Sequence, residues 1–345
     1  MDVGELLGRD LWELGMEAWR LRTKLYGRTA TYISSMVLNY TNVCVVECDF
    51  CPFWRARGNG DAYALAVGDA VKRVLAVDAE HGLSQVLIQG GINPEIGIEY
   101  FEELFRAIKA KAPHIAIHAL SPLEVDYLSR RERMTWREVL ERLREAGMDS
   151  MPGGGGEILV DRVRREISPK KIGAEVWLRI MEEAHGLGIP TSATMMYGHV
   201  EGPEDWAEHI RKIAELQRKT HGFLAFIAWN YEPEGNRLGA KVRYPRTSAT
   251  LLRMVAAARL AFTGESFIPH IQSSWLTNGP ESAELAMYFG ADDFGGTLYE
   301  EKVLEGQRRR SPIATRKDVE ELIRRAGFQP VERDNWYRPA RPGRG

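Results

Sequence analysis

Cys44, Cys48 and Cys51 are the three cysteines of the chain, and all fall within the eight residues Cys44-Val45-Val46-Glu47-Cys48-Asp49-Phe50-Cys51. Thiolates at C-x3-C-x2-C spacing on one short loop can each bind one iron of a four-iron cubane. The fourth iron is then left without a protein ligand and is open to a substrate or cofactor. Three thiols also suit part of a zinc site, but zinc takes four ligands, normally as two pairs far apart in sequence, and no histidine lies near this cluster. A single buried cysteine is usually a small hydrophobe. Confinement of all three to one loop favours the iron–sulfur cluster.

The surrounding composition narrows the setting. The 345 residues are 44% hydrophobic and 27% charged, the balance of an ordinary globular chain. A net charge of −2 carries no footprint of a nucleic-acid binder and no attraction to an anionic membrane. No apolar run reaches the length of a bilayer span. The start Met1-Asp2-Val3-Gly4-Glu5 lacks the basic and apolar regions of a signal peptide. Cysteines that are neither dispersed nor paired argue against a secreted disulfide framework, so a reducing cytoplasm is the expected location.

Short apolar or β-branched runs alternate with longer amphipathic stretches. The runs are 31–38, 85–89, 115–120, 149–151, 191–197, 223–229, 269–273 and 291–294. Helical patterns occupy 67–80, 98–111, 136–146, 175–187, 203–219, 248–262 and 280–289, with a closing helix near 316–326. Gly147, Gly188 and Gly290 stand where helix ends favour a left-handed residue. Thr135 with Glu138 three residues on reads as a capping box. Unbroken strand–helix alternation predicts a parallel sheet closed as a (β/α)8 TIM-type barrel over 31–330, an open doubly wound sheet being the competing fold. Residues 1–30 read as a helical lead-in, and 331–345 as a C-terminal tail.

Catalytic groups of such a barrel gather at the carboxyl ends of its strands. Those ends carry Asn39-Tyr40-Thr41-Asn42-Val43 and the cysteines, then Gln89-Gly90-Gly91, His118-Ala119-Leu120-Ser121-Pro122 and Pro152-Gly153-Gly154-Gly155-Gly156-Glu157. After the fifth to eighth strands come Gly198-His199-Val200-Glu201, Trp229-Asn230-Tyr231-Glu232, Ser273-Ser274-Trp275 and Asp293-Phe294-Gly295. Polar groups and glycines therefore converge on one rim, as an active-site mouth requires.

The C-x3-C-x2-C loop after the first strand resembles the radical S-adenosylmethionine superfamily. Asn39 to Cys44, His118 to Pro122, Met151 to Gly155, Thr194 to His199, Ile271 to Trp275 and Asp293 to Gly295 are similar to its menaquinone and deazaflavin branch. Over about residues 10 to 330 the chain most resembles the cyclic dehypoxanthine futalosine synthases. Aminofutalosine synthases and a deazaflavin-precursor synthase subunit are sister families. Four departures from the cyclase pattern stand out: Gly156 in place of alanine, Asn230 and Glu232 in a Trp-Pro-Phe-Gln-Pro segment, and Ile92-Asn93 after the glycine pair. The segment from Asp293 to Leu298 reads partly like the deazaflavin enzyme.

The resemblance implies a 4Fe-4S cluster on Cys44, Cys48 and Cys51 whose open iron binds S-adenosylmethionine, and an adenosyl radical that takes hydrogen from ribose carbon 4′ of dehypoxanthine futalosine. It implies a reducing partner such as flavodoxin or ferredoxin, and Gly90-Gly91 against the methionyl amino group. Phe53 or Trp54 is expected to shield the cluster. Glu157 is expected to contact S-adenosylmethionine, and Arg162 or Arg165 its carboxylate, unless both arginines lie on a solvated helix face. His118, His199, Glu201 and Asp293 are candidates for the proton acceptor or a substrate contact, against a plain structural role. Trp229, Tyr231 and Trp275 are candidates to wall an aromatic substrate, against rim packing, with Ser121 and Ser274 as hydrogen-bonding groups. The alternative from another class is a non-catalytic metal-binding redox sensor.

Overall fold

The computed structural model describes residues 2–242, 247–303 and 315–340. Its strands are β1 (Thr29–Ile33), β2 (Ser35–Leu38), β3 (Gln85–Ile88), β4 (Ala116–Ala119), β5 (Thr191–Tyr197), β6 (Phe223–Asn230), β7 (His270–Ser273), β8 (Asp293–Gly296) and β9 (Gln329–Glu332). The pairings between them are parallel. β1 and β2 form one stave bent at Ser34. Its lower half pairs with β8 and its upper half with β3, which joins the two halves of a barrel. The fourth stave is two residues long: Ser150 bridges to His118 and Met151 to Thr191. Eight staves therefore close the barrel.

The helices cover this sheet because their apolar stripes have nowhere else to be buried. Trp136–Ala146 buries Val139, Leu140 and Leu143, and its Thr135–Glu138 capping box is formed. A helix at Pro122–Glu132 was not expected. Its signal was present: Ser121 is the N-cap, Pro122 the first helical residue, and Glu124 completes a capping box. A second unexpected helix, Asp161–Ile167, is seven residues long, too short to leave a clear period. The lead-in is two helices, Val3–Gly8 and Leu11–Tyr26. The longer one is tied to the barrel floor by Arg22, whose guanidinium donates to the carbonyl of Ala291.

The expected tail is corrected over 331–340. β9 lies along the free edge of β1, in register from Thr29–Gln329 to Tyr32–Glu332. Beyond it Arg333 ion-pairs with Asp293, and Asn335 accepts hydrogen bonds from Gln85 and Ser150. The C-terminal segment is thus a plug under the barrel, held because its polar groups find buried partners there. Residues 341–345 lie outside the described residues. Among the described residues no helix is long and apolar enough to cross a membrane.

Candidate functional site

The carboxyl ends of the strands open into a cavity of about 420 Å³, within the size range of small-molecule sites. Its wall includes Cys44, Cys48, Cys51, Gly90, Gly91, His118, Ser121, Glu157, Trp229 and Ser274. Ten of the residues singled out in the sequence are thereby brought to one surface, with Phe53 and Trp54 beside the cysteines.

The cysteine loop is held from several directions. The amide of Cys44 donates to the carbonyl of Arg55, that of Val45 to Ile92, and that of Asp49 to Ile167. On the other side, the amide of Leu238 donates to the carbonyl of Asp49. The glycine pair is required by close approach. A Cβ on Gly91 would lie 2.2 Å from the carbonyl oxygen of Val43 and 2.8 Å from Cβ of Cys44, and one on Gly90 would strike the ring of Tyr40. Tyr40 donates to Glu124 at 2.8 Å, and Glu124 accepts from the amide and hydroxyl of Ser121. Burial pushes the Glu124 carboxyl up, against the hydrogen bonds from Ser121 and Tyr40. Ser121 therefore spends its proton on Glu124, and its oxygen accepts from the amide of Glu124 as the helix N-cap.

Burial also pushes up the thiols of Cys48 and Cys51. Cys51 reaches about 11, raised further by Cys48 and opposed by the amides of Phe53 and Trp54. Cys48 is raised by burial, opposed by Lys171 and by a 3.0 Å hydrogen bond from Ser168. Such thiols are deprotonated by binding metal. Among the described residues no three His, Cys, Asp or Glu side chains form a group that could hold a metal ion alone. The three thiols suit separate irons of a cluster, and the cavity they line leaves room for a ligand on the remaining iron.

Lys171 was not foreseen. Its ammonium lies 2.7 Å from Oε1 of Glu157, with both side chains buried, on the cavity wall. Burial opposes its charge, but Cys48 and Glu157 hold its pKa above the ordinary value. In sequence it is one of two lysines after Ser168-Pro169, away from any strand end, with nothing to single it out. Arg162 and Arg165, the expected cations, point outward. Arg162 is 58% exposed at its side chain and pairs with Asp205, and Arg165 is exposed. Arg164 between them is buried, but it donates to the carbonyls of Gly155, Gly156, Ile158 and Ile172, so it braces the glycine turn. Gly156 itself is explained by that turn, since a Cβ there would meet the carbonyl oxygens of Thr194 and Gly153 at 2.9 and 3.0 Å.

Five further expectations are corrected. His199 Nδ1 and Glu201 pair at 2.9 Å, fully buried, and Glu201 also accepts from Trp206 and the amide of Gly198, so both are spent on one rim turn. Asp293 is bound by Arg333 at the floor. Tyr231 donates to Asn236, and the Trp275 indole donates to the carbonyl of Gly296. None of the five lines the cavity. His118 does. Its Nδ1 lies 2.6 Å from the Ser150 hydroxyl, and burial together with Arg333 drives its pKa down to about 3, which leaves a neutral imidazole.

A model of the radical SAM superfamily matches residues 38–213, and one for the CofH/MqnC C-terminal region matches residues 220–342. The chain belongs to the radical S-adenosylmethionine superfamily. Cyclic dehypoxanthine futalosine synthase of Streptomyces coelicolor is 40% identical over 94% of this chain and 80% of its own length. Aminodeoxyfutalosine synthase of Thermus thermophilus is 37% identical over 96% and 89%. The 5-amino-6-(D-ribitylamino)uracil–L-tyrosine 4-hydroxyphenyl transferase of Methanopyrus kandleri is 36% identical over 96% and 90%. Methylornithine synthase (PylB) has the same fold, with a TM-score of 0.74 at 17% identity over 96% of this chain and 93% of its own. The [FeFe]-hydrogenase maturase HydG from Carboxydothermus hydrogenoformans gives 0.73 at 19% over 97% and 76%. This chain is a radical SAM enzyme of the branch that holds these three synthases and transferases, and its cofactors are a 4Fe-4S cluster and S-adenosylmethionine.

Proposed function

We propose that the chain cyclises dehypoxanthine futalosine to its spiro form. The observation that carries this reading is the 40% identity to the Streptomyces coelicolor cyclic synthase over 333 residues, 94% of this chain; the transferase of Methanoculleus marisnigri reaches 40% over 298 residues, 86% of it. The cluster and S-adenosylmethionine, when bound, supply an adenosyl radical that takes hydrogen from ribose carbon 4′. The substrate then closes onto its own benzoate ring, and loss of one proton, with one electron to a one-electron acceptor, restores a closed shell. Flavodoxin or ferredoxin is the proposed class of reductant, and cytoplasm the proposed location.

The chain's own residues bind, orient and exclude water. Cys44, Cys48 and Cys51 would hold three irons. Gly90 and Gly91 would leave backbone surface for the methionyl group. Lys171 takes the role expected of an arginine, because among the described residues it is the lysine or arginine on the cavity wall and a carboxylate is its natural partner. Glu157, already paired with it, would meet the amino or ribose groups of the same cofactor. Trp229, Phe50 and Leu123 supply apolar wall for an aromatic substrate, and Ser274 a hydroxyl. His118 is a neutral imidazole on that wall, suited to hydrogen-bond substrate.

The test is anaerobic turnover of reconstituted enzyme with a reductant and S-adenosylmethionine, offered dehypoxanthine futalosine or the substrates of the sister families. Cyclic product with 5′-deoxyadenosine is the expected result. Deoxyadenosine with turnover of a sister substrate alone would reassign the reaction. A zinc clip or sensor would give colourless protein without S-adenosylmethionine cleavage. Cys48→Ala should abolish cleavage in a folded barrel.

A further inference from the structure

We propose that Ser168 tunes the cluster, by donating a hydrogen bond from its hydroxyl to the sulfur of Cys48 and so raising the cluster's reduction potential. Sγ of Cys48 here stands for the thiolate that binds iron. Ser168 Oγ lies 3.0 Å from it, and both residues are buried. Reduction adds negative charge to the cluster, and part of that charge resides on its sulfur ligands. A donor aimed at one of them favours the reduced state.

The contact is enforced by its surroundings. The amide of Asp49, next to Cys48, donates to the carbonyl of Ile167, next to Ser168, so the two segments are joined backbone to backbone beside the side-chain bond. The Ser168 amide donates to the carbonyl of Arg164 at the end of the helix Asp161–Ile167. Pro169 follows and ends the helix. Arg164 locks the whole turn through four carbonyls. The Ser168 side chain has little freedom to turn away. Cys51 receives its donors from backbone amides of Phe53 and Trp54. Among the described residues Ser168 is the side chain that donates to a cysteine sulfur, so at Cys48 the sequence sets the hydrogen bonding. The proposal rests on the cluster, not on which substrate the enzyme takes.

The experiment is a redox titration of anaerobically reconstituted enzyme, followed by the electron paramagnetic resonance signal of the reduced cluster, without substrate. Ser168→Ala should shift the reduction equilibrium toward the oxidised form by on the order of tenfold, about 59 mV for one electron. The isosteric pair Ser168→Thr and Ser168→Val separates the hydroxyl from its volume, and serves equally if the alanine variant loads poorly. Thr should hold the potential of the parent, and Val should fall with Ala. Equal potentials in Thr and Val, or an unshifted Ala variant with full iron, would overturn the proposal and leave Ser168 a helix terminator. Failure to turn over dehypoxanthine futalosine would touch the substrate reading alone.

Discussion

Lys171 Nζ sits 2.7 Å from Oε1 of Glu157, with side chains 8% and 7% exposed, on the wall of the cavity that the three cysteines share. Removing one member of a buried ion pair leaves an uncompensated charge and costs about 3–5 kcal/mol, more than removing both. Lys171→Met should lower the unfolding midpoint more than the double variant Lys171→Met/Glu157→Gln. If Lys171 also meets a carboxylate of S-adenosylmethionine, both variants should lose affinity for it, measured by equilibrium titration of the loaded enzyme. Restored stability without restored affinity in the double variant is the expected pattern. Wild-type affinity in either one would remove Lys171 from the cofactor site.

Gly91→Ala should disrupt the cysteine loop. The added methyl would meet backbone at 2.2 Å, and backbone cannot rotate aside as a side chain can. Overpacking of this kind costs about 1–3 kcal/mol. Here the strain falls on Val43 and Cys44, so iron content and S-adenosylmethionine cleavage should drop together. Gly60→Ala, on the long loop that carries the cysteines and with open space around it, is the control and should load iron as the parent does. Iron and sulfide analysis of both variants after identical reconstitution decides the matter.

The barrel and the rim were legible because strand–helix alternation is local, and because parallel barrels place their chemistry at one end of the strands. Roles on the rim were less so. His199 and Glu201 are two residues apart, and sequence alone does not say that they face each other instead of the cavity. Asp293 finds Arg333 forty residues later, in a stretch whose arginines, prolines and glycines look like a tail. Lys171 lies beyond a seven-residue helix that left no period, so nothing local distinguished it from the exposed Lys170 beside it. For Asp293 and Lys171 the deciding partner lies outside the local segment, and for His199 and Glu201 it lies close by but in a turn whose direction the spacing does not give.

Asp293 should prove structural. Arg333 binds both its oxygens, at 2.5 and 3.2 Å, and Asp293 in turn accepts from Thr31 of β1 and the amide of Gly295. Asp293→Asn keeps the shape but breaks the charge balance, leaving a buried guanidinium, and should cost about 3–5 kcal/mol. Asp293→Asn/Arg333→Gln should recover part of that loss. Cleavage per loaded cluster should stay near the parent value in whichever variant folds. A large loss in Asp293→Asn with unchanged stability would return the residue to the list of proton acceptors.

Three histidines should make the fold acid-sensitive. Burial, with Arg164 and Lys212 nearby, lowers the pKa of His209 to about 3; burial with Arg333 does the same for His118, and burial alone brings His185 to about 4. Each ordinary value is near 6.5, so below that pH the unfolded chain binds protons that the folded chain refuses. Stability is fully present above about pH 6.5 and declines as pH falls toward the depressed folded values. For His209, which is 0% exposed, the loss between pH 7 and 5 is about 2 kcal/mol. Its Nδ1 accepts from the amide of Leu159, a role that the side-chain oxygen of asparagine can copy. His209→Asn should be less stable at pH 7, through its lost volume, yet its stability should fall by about 2 kcal/mol less than the parent's on going to pH 5. Urea unfolding at the two pH values measures both, and parallel losses in parent and variant would mean that His209 is protonated in the folded protein.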